Sequence, residues 1–171
     1  MSLIVEDGTG LATAESYCST AFADTYHINR GNGTWATITP AQKEEALRRA
    51  TDYMQQVYHG RWLGYRKTAT QALDWPRLLV KNDDAYAYSS YYLDTNSVPV
   101  IVQNALAELA WKAAQGELAP DLSQKVIREK IDVIEVEYSP NGVQYTRYRA
   151  IDNLLSSLLG QGGTFRQVMR A

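Results

Sequence analysis

The chain has 171 residues, with 17 Lys and Arg against 19 Asp and Glu, giving a formal net charge of −2 at pH 7. That length suits one domain with a substantial core, and the mildly acidic balance argues against a free-standing nucleic-acid binder, which is usually strongly basic. The single cysteine, Cys18, excludes an intramolecular disulfide, no apolar run approaches the roughly 20 residues a membrane helix needs, and the opening MSLIVEDGTG lacks the charged and apolar regions of a signal peptide.

Leu3 to Val5 is a short apolar run, read as an edge strand or a pinned arm and broken by Gly8 and Gly10. Ser19 is the expected N-cap of a first helix from about Thr20 to Asn29, with Phe22, Ala23, Tyr26 and His27 inward and Gly31 and Gly33 after its end. Thr39-Pro40-Ala41-Gln42 is a strong helix start. Thr39 caps, Pro40 suits the first helical position, and Gln42 completes a capping box. The second helix then runs to about Tyr58, and Ala46, Leu47, Ala50, Tyr53, Met54 and Val57 recur at the spacing of one buried face.

Gly60 stops that helix, and GRWLGYRKTATQALDWPR follows, up to Arg77. Trp62 and Trp75 are large enough to bury ~150–250 Å² each. Pro76 restricts Trp75, so Gln71 to Trp75 is expected to run extended. Trp62, Trp75 and Pro76 are read as a structural anchor that clamps this loop to the helices. The rival reading makes the same stretch a platform for nucleic acid or a partner protein.

Residues 82–97 are polar, lack periodicity and contain Tyr86, Tyr88, Tyr91 and Tyr92, so a long loop is expected. Tyr with Ser makes large, adaptable contact surfaces, so an interface with a neighbouring subunit or another protein is weighed against a mobile solvent loop as the role of these four residues. Pro99 opens a third helix that ends before Gly116, with Ile101, Val102, Ala105, Leu106, Leu109, Ala110 and Ala113 as its apolar stripe. Trp111 lies off the stripe centre and is assigned to core packing, with a partner or the Trp62 region as alternatives. Beyond Pro120 the pattern becomes β-branched. Pro140-Asn141-Gly142 signals a turn, so Ile134–Tyr138 is expected to pair with Val143–Arg147, with Glu135 and Glu137 facing Arg147 and Arg149. Ala150 to Leu159 forms a last short helix ended by Gly160.

The fold class is therefore mainly α: a small bundle of three to four helices, a β-hairpin before the last short helix, and an extended C-terminal tail. No catalytic set emerges. His27 and His59 have no Cys or carboxylate at metal-ligand spacing, and each reads as a surface or half-buried residue. Gly8-Thr9-Gly10 and Gly31-Asn32-Gly33 lack the context of phosphate loops. Asp83-Asp84 reads as a solvated pair. No metal and no cofactor are expected.

Several blocks occur in a recognisable order: LIVEDGTG, EEALRRATDYM, GRWLGYR, QALDWPR, VPVIVQNALAELA, GELAPDL, REKIDVIEVEY and AIDNLL. In these the chain resembles tailed-phage head–tail connector, or adaptor, proteins, whose members are often labelled DnaT-like single-stranded-DNA-binding proteins. The likeness covers about residues 1–160. The Tyr-rich stretch is longer than the pattern, and the tail after Gly160 lies outside it. The resemblance implies a non-enzymatic adaptor domain over 1–160, with its hairpin in 126–149, and a docking tail over 161–171. It implies a homo-oligomeric ring, commonly a dodecamer, bound to the portal protein and to a neck or tail-completion protein. Double-stranded DNA would pass through the ring's channel without sequence-specific binding. The protein would be made in the bacterial host cytoplasm and reside at the neck of the virion, away from any membrane. Phe165, Arg166, Val168, Met169 and Arg170 in the tail are the residues expected to meet the portal.

The alternative is a single-stranded-DNA-binding replication module. Trp62, Tyr65 and Trp75 would stack on bases, and Arg61, Arg66, Lys67 and Arg77 would meet phosphates. The net negative charge sets the opposing expectation, that the isolated chain does not bind single-stranded DNA tightly.

Overall fold

A computed structural model describes residues 2–82, 91–120, 126–130, 135–138 and 146–160. The fold is mainly helical, with α1 at Thr20–Ile28, α2 at Pro40–Tyr58, α3 at Val100–Gln115 and α4 at Arg149–Leu155. Two short antiparallel pairs accompany them: β1 (Tyr65–Arg66) with β2 (Arg77–Leu78), and β3 (Val126–Lys130) with β4 (Glu135–Tyr138). The helix starts follow local chemistry. Ser19 Oγ accepts from the Phe22 N–H at 3.1 Å. Thr39 and Gln42 exchange reciprocal bonds, Gln42 N to Thr39 Oγ1 at 3.3 Å and Thr39 N to Gln42 Oε1 at 3.0 Å, which satisfies two of the amide donors a helix start leaves open.

The principal packing is between α2 and α3. Ala46, Leu47, Ala50 and Met54 meet a face carrying Val102, Ala105, Leu106, Leu109, Ala110 and Ala113, all fully or almost fully buried. The alanines let the two backbones approach, and the larger side chains fill the gaps. Helix α4 adds Ile151 and Leu155 to this core, and a 3-10 turn at Ser156–Leu158 adds Leu158. The N-terminal arm is held by a parallel bridge between Val5 and Ser16. It is also held by the buried Glu6 carboxylate, which accepts from the amides of Gly8, Gly10 and Leu11.

The structure corrects several details. β4 pairs with β3, in the register Arg128–Glu137 and Lys130–Glu135; most of the expected partner segment, Val143–Arg147, lies outside the described residues. The pairing joins the β-branched run that begins at Val126. Arg147 reaches Asp152 at 3.5 Å, and Arg149 opens α4 instead of extending a strand. The chain bends at Ala72–Asp74 instead of running extended, and the Trp75–Pro76 peptide is cis. His27 is buried rather than half-exposed, because its Nε2–H reaches the Ala107 carbonyl at 3.0 Å and its ring packs on Trp35. Trp111 joins that same group, 6.4 Å from Trp35, and not the Trp62 region. Residues 139–145 and the tail 161–171, with Phe165, Arg166, Val168, Met169 and Arg170, lie outside the described residues, as do Asp83-Asp84, Tyr86 and Tyr88.

Candidate functional site

The segment from His59 to Lys81 is fixed by buried polar groups. The Asp74 carboxylate accepts from Trp62 Nε1 at 3.1 Å and lies 2.8 Å from His59 Nδ1. The Asp74 N–H donates to the Tyr17 hydroxyl at 3.1 Å, and burial pushes the Tyr17 phenol upward from its ordinary value. Arg77 is buried and donates to four backbone carbonyls: Leu63 at 2.7 Å, Gly64 at 2.8 Å, Asp74 at 3.2 Å and Trp62 at 3.4 Å. Burial lowers its hold on the proton, opposed by nearby Asp74. Gln71 bonds Leu73 and Pro76 carbonyls and the Thr68 amide, and Arg66 donates to the Gln71 carbonyl. Lys67 Nζ reaches the Gly8 carbonyl at 2.8 Å and Asn96 Oδ1 at 2.7 Å. Trp75 is fully buried, Pro76 is buried, and Trp62 is 6% exposed, with the two indoles edge to face at 5.7 Å.

Burial therefore divides the residues that sequence proposed for nucleic-acid contact. Trp62, Trp75 and Arg77 belong to the interior and present nothing to a ligand. Arg66 and Lys67 are half-buried and hold the backbone. Tyr65 is 70% exposed, and Arg61 stacks over the Tyr58 ring at 5.3 Å.

What the segment holds outward is an aromatic ribbon. Tyr65 stands opposite Leu78 in the β1–β2 pair. Leu79 follows with φ +58, a backbone conformation uncommon outside glycine, and its side chain is 59% exposed. The chain then pairs Val80–Asn82 against Tyr91–Leu93, with Asn82 N to Tyr91 O at 2.8 Å and Leu93 N to Val80 O at 2.9 Å. The stretch expected to be a long loop is thus closed by a paired stem. Tyr91 and Tyr92 are 45% and 47% exposed and perpendicular, with centroids 4.9 Å apart. Lys81 Nζ lies 5.6 Å from the Tyr91 centroid. Seven large hydrophobic residues are exposed among the described residues, and Tyr65, Leu79, Tyr91 and Tyr92 are four of them. Such a concentration marks a contact surface rather than scattered exposure. Beside it lies a groove of about 290 Å³ lined by Lys81, Asn82, Leu93, Ile101, Ser157 and Leu158, among others. Among the described residues no His, Cys, Asp and Glu side chains gather as a metal site, and no helix is long and apolar enough to cross a membrane.

Leu79 and Lys81 escaped the sequence reading. An isolated Leu in an apolar run reads as core, and nothing in the sequence signals its positive φ.

A family model described as "Putative DnaT-like ssDNA binding protein" matches residues 1–171. The chain belongs to that family. No curated protein matches, and no solved structure matches. The family description overturns the head–tail connector expectation. It also overturns the expected partners, a portal-bound ring that duplex DNA merely traverses, and the virion setting that went with them. It agrees with the alternative, single-stranded-DNA binding.

Proposed function

We propose that the chain is a single-stranded-DNA-binding module that acts by binding rather than catalysis, with Tyr65, Tyr91 and Tyr92 as its stacking surface. The carrying observation is the exposed Tyr91–Tyr92 pair with Lys81 against the first ring. Bases stack on aromatic faces without regard to sequence, and each such contact is worth ~1–3 kcal/mol. The two rings stand at 89°, so bases stacked on both must lie in different planes. A single strand adopts that arrangement readily, whereas paired and stacked bases in a duplex do not. Lys81 supplies positive charge within reach of the adjoining phosphate.

Fluorescence anisotropy with labelled oligo(dT) tests this at about 50 and 200 mM salt, the range over which phosphate contacts change affinity most visibly. The wild-type chain is expected to bind at the lower salt and to weaken at the higher. Tyr91→Ser with Tyr92→Ser should reduce affinity by at least roughly 5- to 150-fold, the range of a single lost stacking contact, with helicity and melting unchanged because both rings are exposed. Absence of binding at low salt, or undiminished affinity when Tyr65 is also changed to Ser, overturns the proposal.

A further inference from the structure

The ribbon explains where bases stack but leaves the course of the sugar–phosphate backbone open. Two grooves flank the outer side of α4. One is the groove beside Lys81, which Ser157 helps to line. The other, about 590 Å³, is lined by Arg147, Arg149, Asp152 and Asn153. Asn153 and Ser157 are both exposed and lie four residues apart, Asn153 on α4 and Ser157 in the 3-10 turn that continues it, so the grooves follow one another along this stretch of chain.

Among the described residues that line the second groove, the charges are unbalanced. The one acid among them, Asp152, accepts from the Tyr58 hydroxyl at 3.0 Å and lies 3.5 Å from Arg147 Nη2, with its side chain only 19% exposed. Arg61 stands over that same Tyr58 ring. Arg147 and Arg149 thus share the groove with one largely covered carboxylate, and Arg61 stands over the Tyr58 ring that bonds it, so the described cations here outnumber that acid by two in a chain whose formal total is −2. Burial and the bond to Asp152 push the Tyr58 phenol up, so it stays a neutral donor that holds Asp152 in place. Between the grooves the exposed residues of α4 and its 3-10 turn are Ala150, Asn153, Ser156 and Ser157, with no acid among them.

We infer that the phosphate backbone of a bound single strand runs along the outer side of α4, from the Arg147/Arg149 groove to the Lys81 groove, where it delivers its bases to Tyr91 and Tyr92. This rests on the single-stranded-DNA reading above. Arg149 to Ser157 spans about 12 Å at 1.5 Å per residue, room for about three to four phosphates at the 3.4 Å spacing of a stacked strand. Arg61, Arg147, Arg149 and Lys81 would then neutralise up to about four phosphates. For a single strand that predicts log Kobs against log salt with a slope near −3, at about −0.7 per phosphate.

The experiment is a salt series of oligo(dT) anisotropy on the full chain. Arg147→Gln with Arg149→Gln should make the slope shallower by about 1.4, the value for two lost contacts. Asn153→Glu should weaken binding further while leaving the circular dichroism spectrum unchanged. Tyr91→Ser with Tyr92→Ser should lower affinity at an unchanged slope, since stacking releases no counterions. Arg49→Gln, an exposed position on α2 outside both grooves, is the control and should leave the slope alone. If the Arg147/Arg149 variant keeps the wild-type slope while the Tyr variant loses affinity, the track is wrong and the stacking surface stands. An equal change with Arg49→Gln means diffuse attraction and also removes the track. No binding by the wild-type chain removes both.

Discussion

The two buried tryptophans of the anchor differ in one respect that yields a sharp test. Both sit in the same cluster, edge to face at 5.7 Å, and both are almost wholly excluded from solvent. Trp62 Nε1 donates to Asp74 at 3.1 Å. Trp75 Nε1 is buried and finds no acceptor among the described residues. Changing either to Phe removes a similar amount of ring, which at ~0.8 kcal/mol per buried carbon group costs ~1–2 kcal/mol. The polar consequences have opposite sign. Trp75→Phe eliminates an unpaired donor, and the relief of ~1–3 kcal/mol offsets the lost packing. Trp62→Phe strips a donor from a carboxylate whose side chain is 3% exposed, adding ~1–3 kcal/mol or more of cost.

Trp62→Phe should therefore be the more damaging by at least ~2 kcal/mol, which for a chain of this size is a melting-temperature difference of roughly 4–8 °C. Thermal and urea denaturation followed by circular dichroism measure both variants against wild type. Equal costs, or a larger cost for Trp75→Phe, would refute the account. They would mean that shape, not hydrogen-bond satisfaction, decides how these rings contribute.

Two further outcomes follow from backbone and burial. The His27 pKa is lowered from 6.5 by burial, so its contribution to stability is present above that value and is lost as pH falls toward the folded-state pKa. The wild-type melting temperature should drop more between pH 7.5 and 5.5 than that of His27→Gln, and parallel curves would contradict this linkage. A Cβ on Gly64 would sit 2.2 Å from the Leu78 carbonyl oxygen, at φ +69, whereas one on Gly60, at φ +78, meets nothing within 4 Å. Gly64→Ala should thus cost more than the ~1–3 kcal/mol of left-handed strain alone, and Gly60→Ala no more than that strain; equal melting temperatures would remove the clash from the explanation.

The helices were legible because their determinants are local. Ser19 and the Thr39–Gln42 box act within one turn, and the α2 and α3 stripes repeat at helical spacing, so neighbouring residues carry the signal. The pairing of β4 with β3 was not legible, since the sequence signal for a turn, Pro140-Asn141-Gly142, follows β4 whereas Val126–Lys130 precedes it. Arg77 reads as a surface cation in any sequence. Only the fold reveals that Leu63, Gly64 and Asp74 bring their carbonyls together around it. Arg147 and Arg149 read as strand residues from their alternation, and the Tyr58–Asp152 bond that links Arg61 to Arg147 bridges 94 residues of sequence.

The formal charge of −2 argues against nucleic-acid affinity only if charge is spread evenly, and it is not. Glu6 is turned inward onto three backbone amides. Asp74 is buried against Trp62 and His59. Asp24 holds Lys43 at 2.8 Å and Trp35 Nε1 at 2.7 Å. Glu15 and Glu44 both meet Arg48. These acids organise the fold, and each is matched by donors at short range. At 0.1 M salt a charge is felt over about 10 Å, so a strand lying on α4 responds first to Arg61, Arg147, Arg149 and Lys81 with Asp152, and less to carboxylates already engaged by donors in the interior. A summed charge describes solubility and long-range steering. Affinity at a surface is decided by which charges remain outward once folding has engaged the rest.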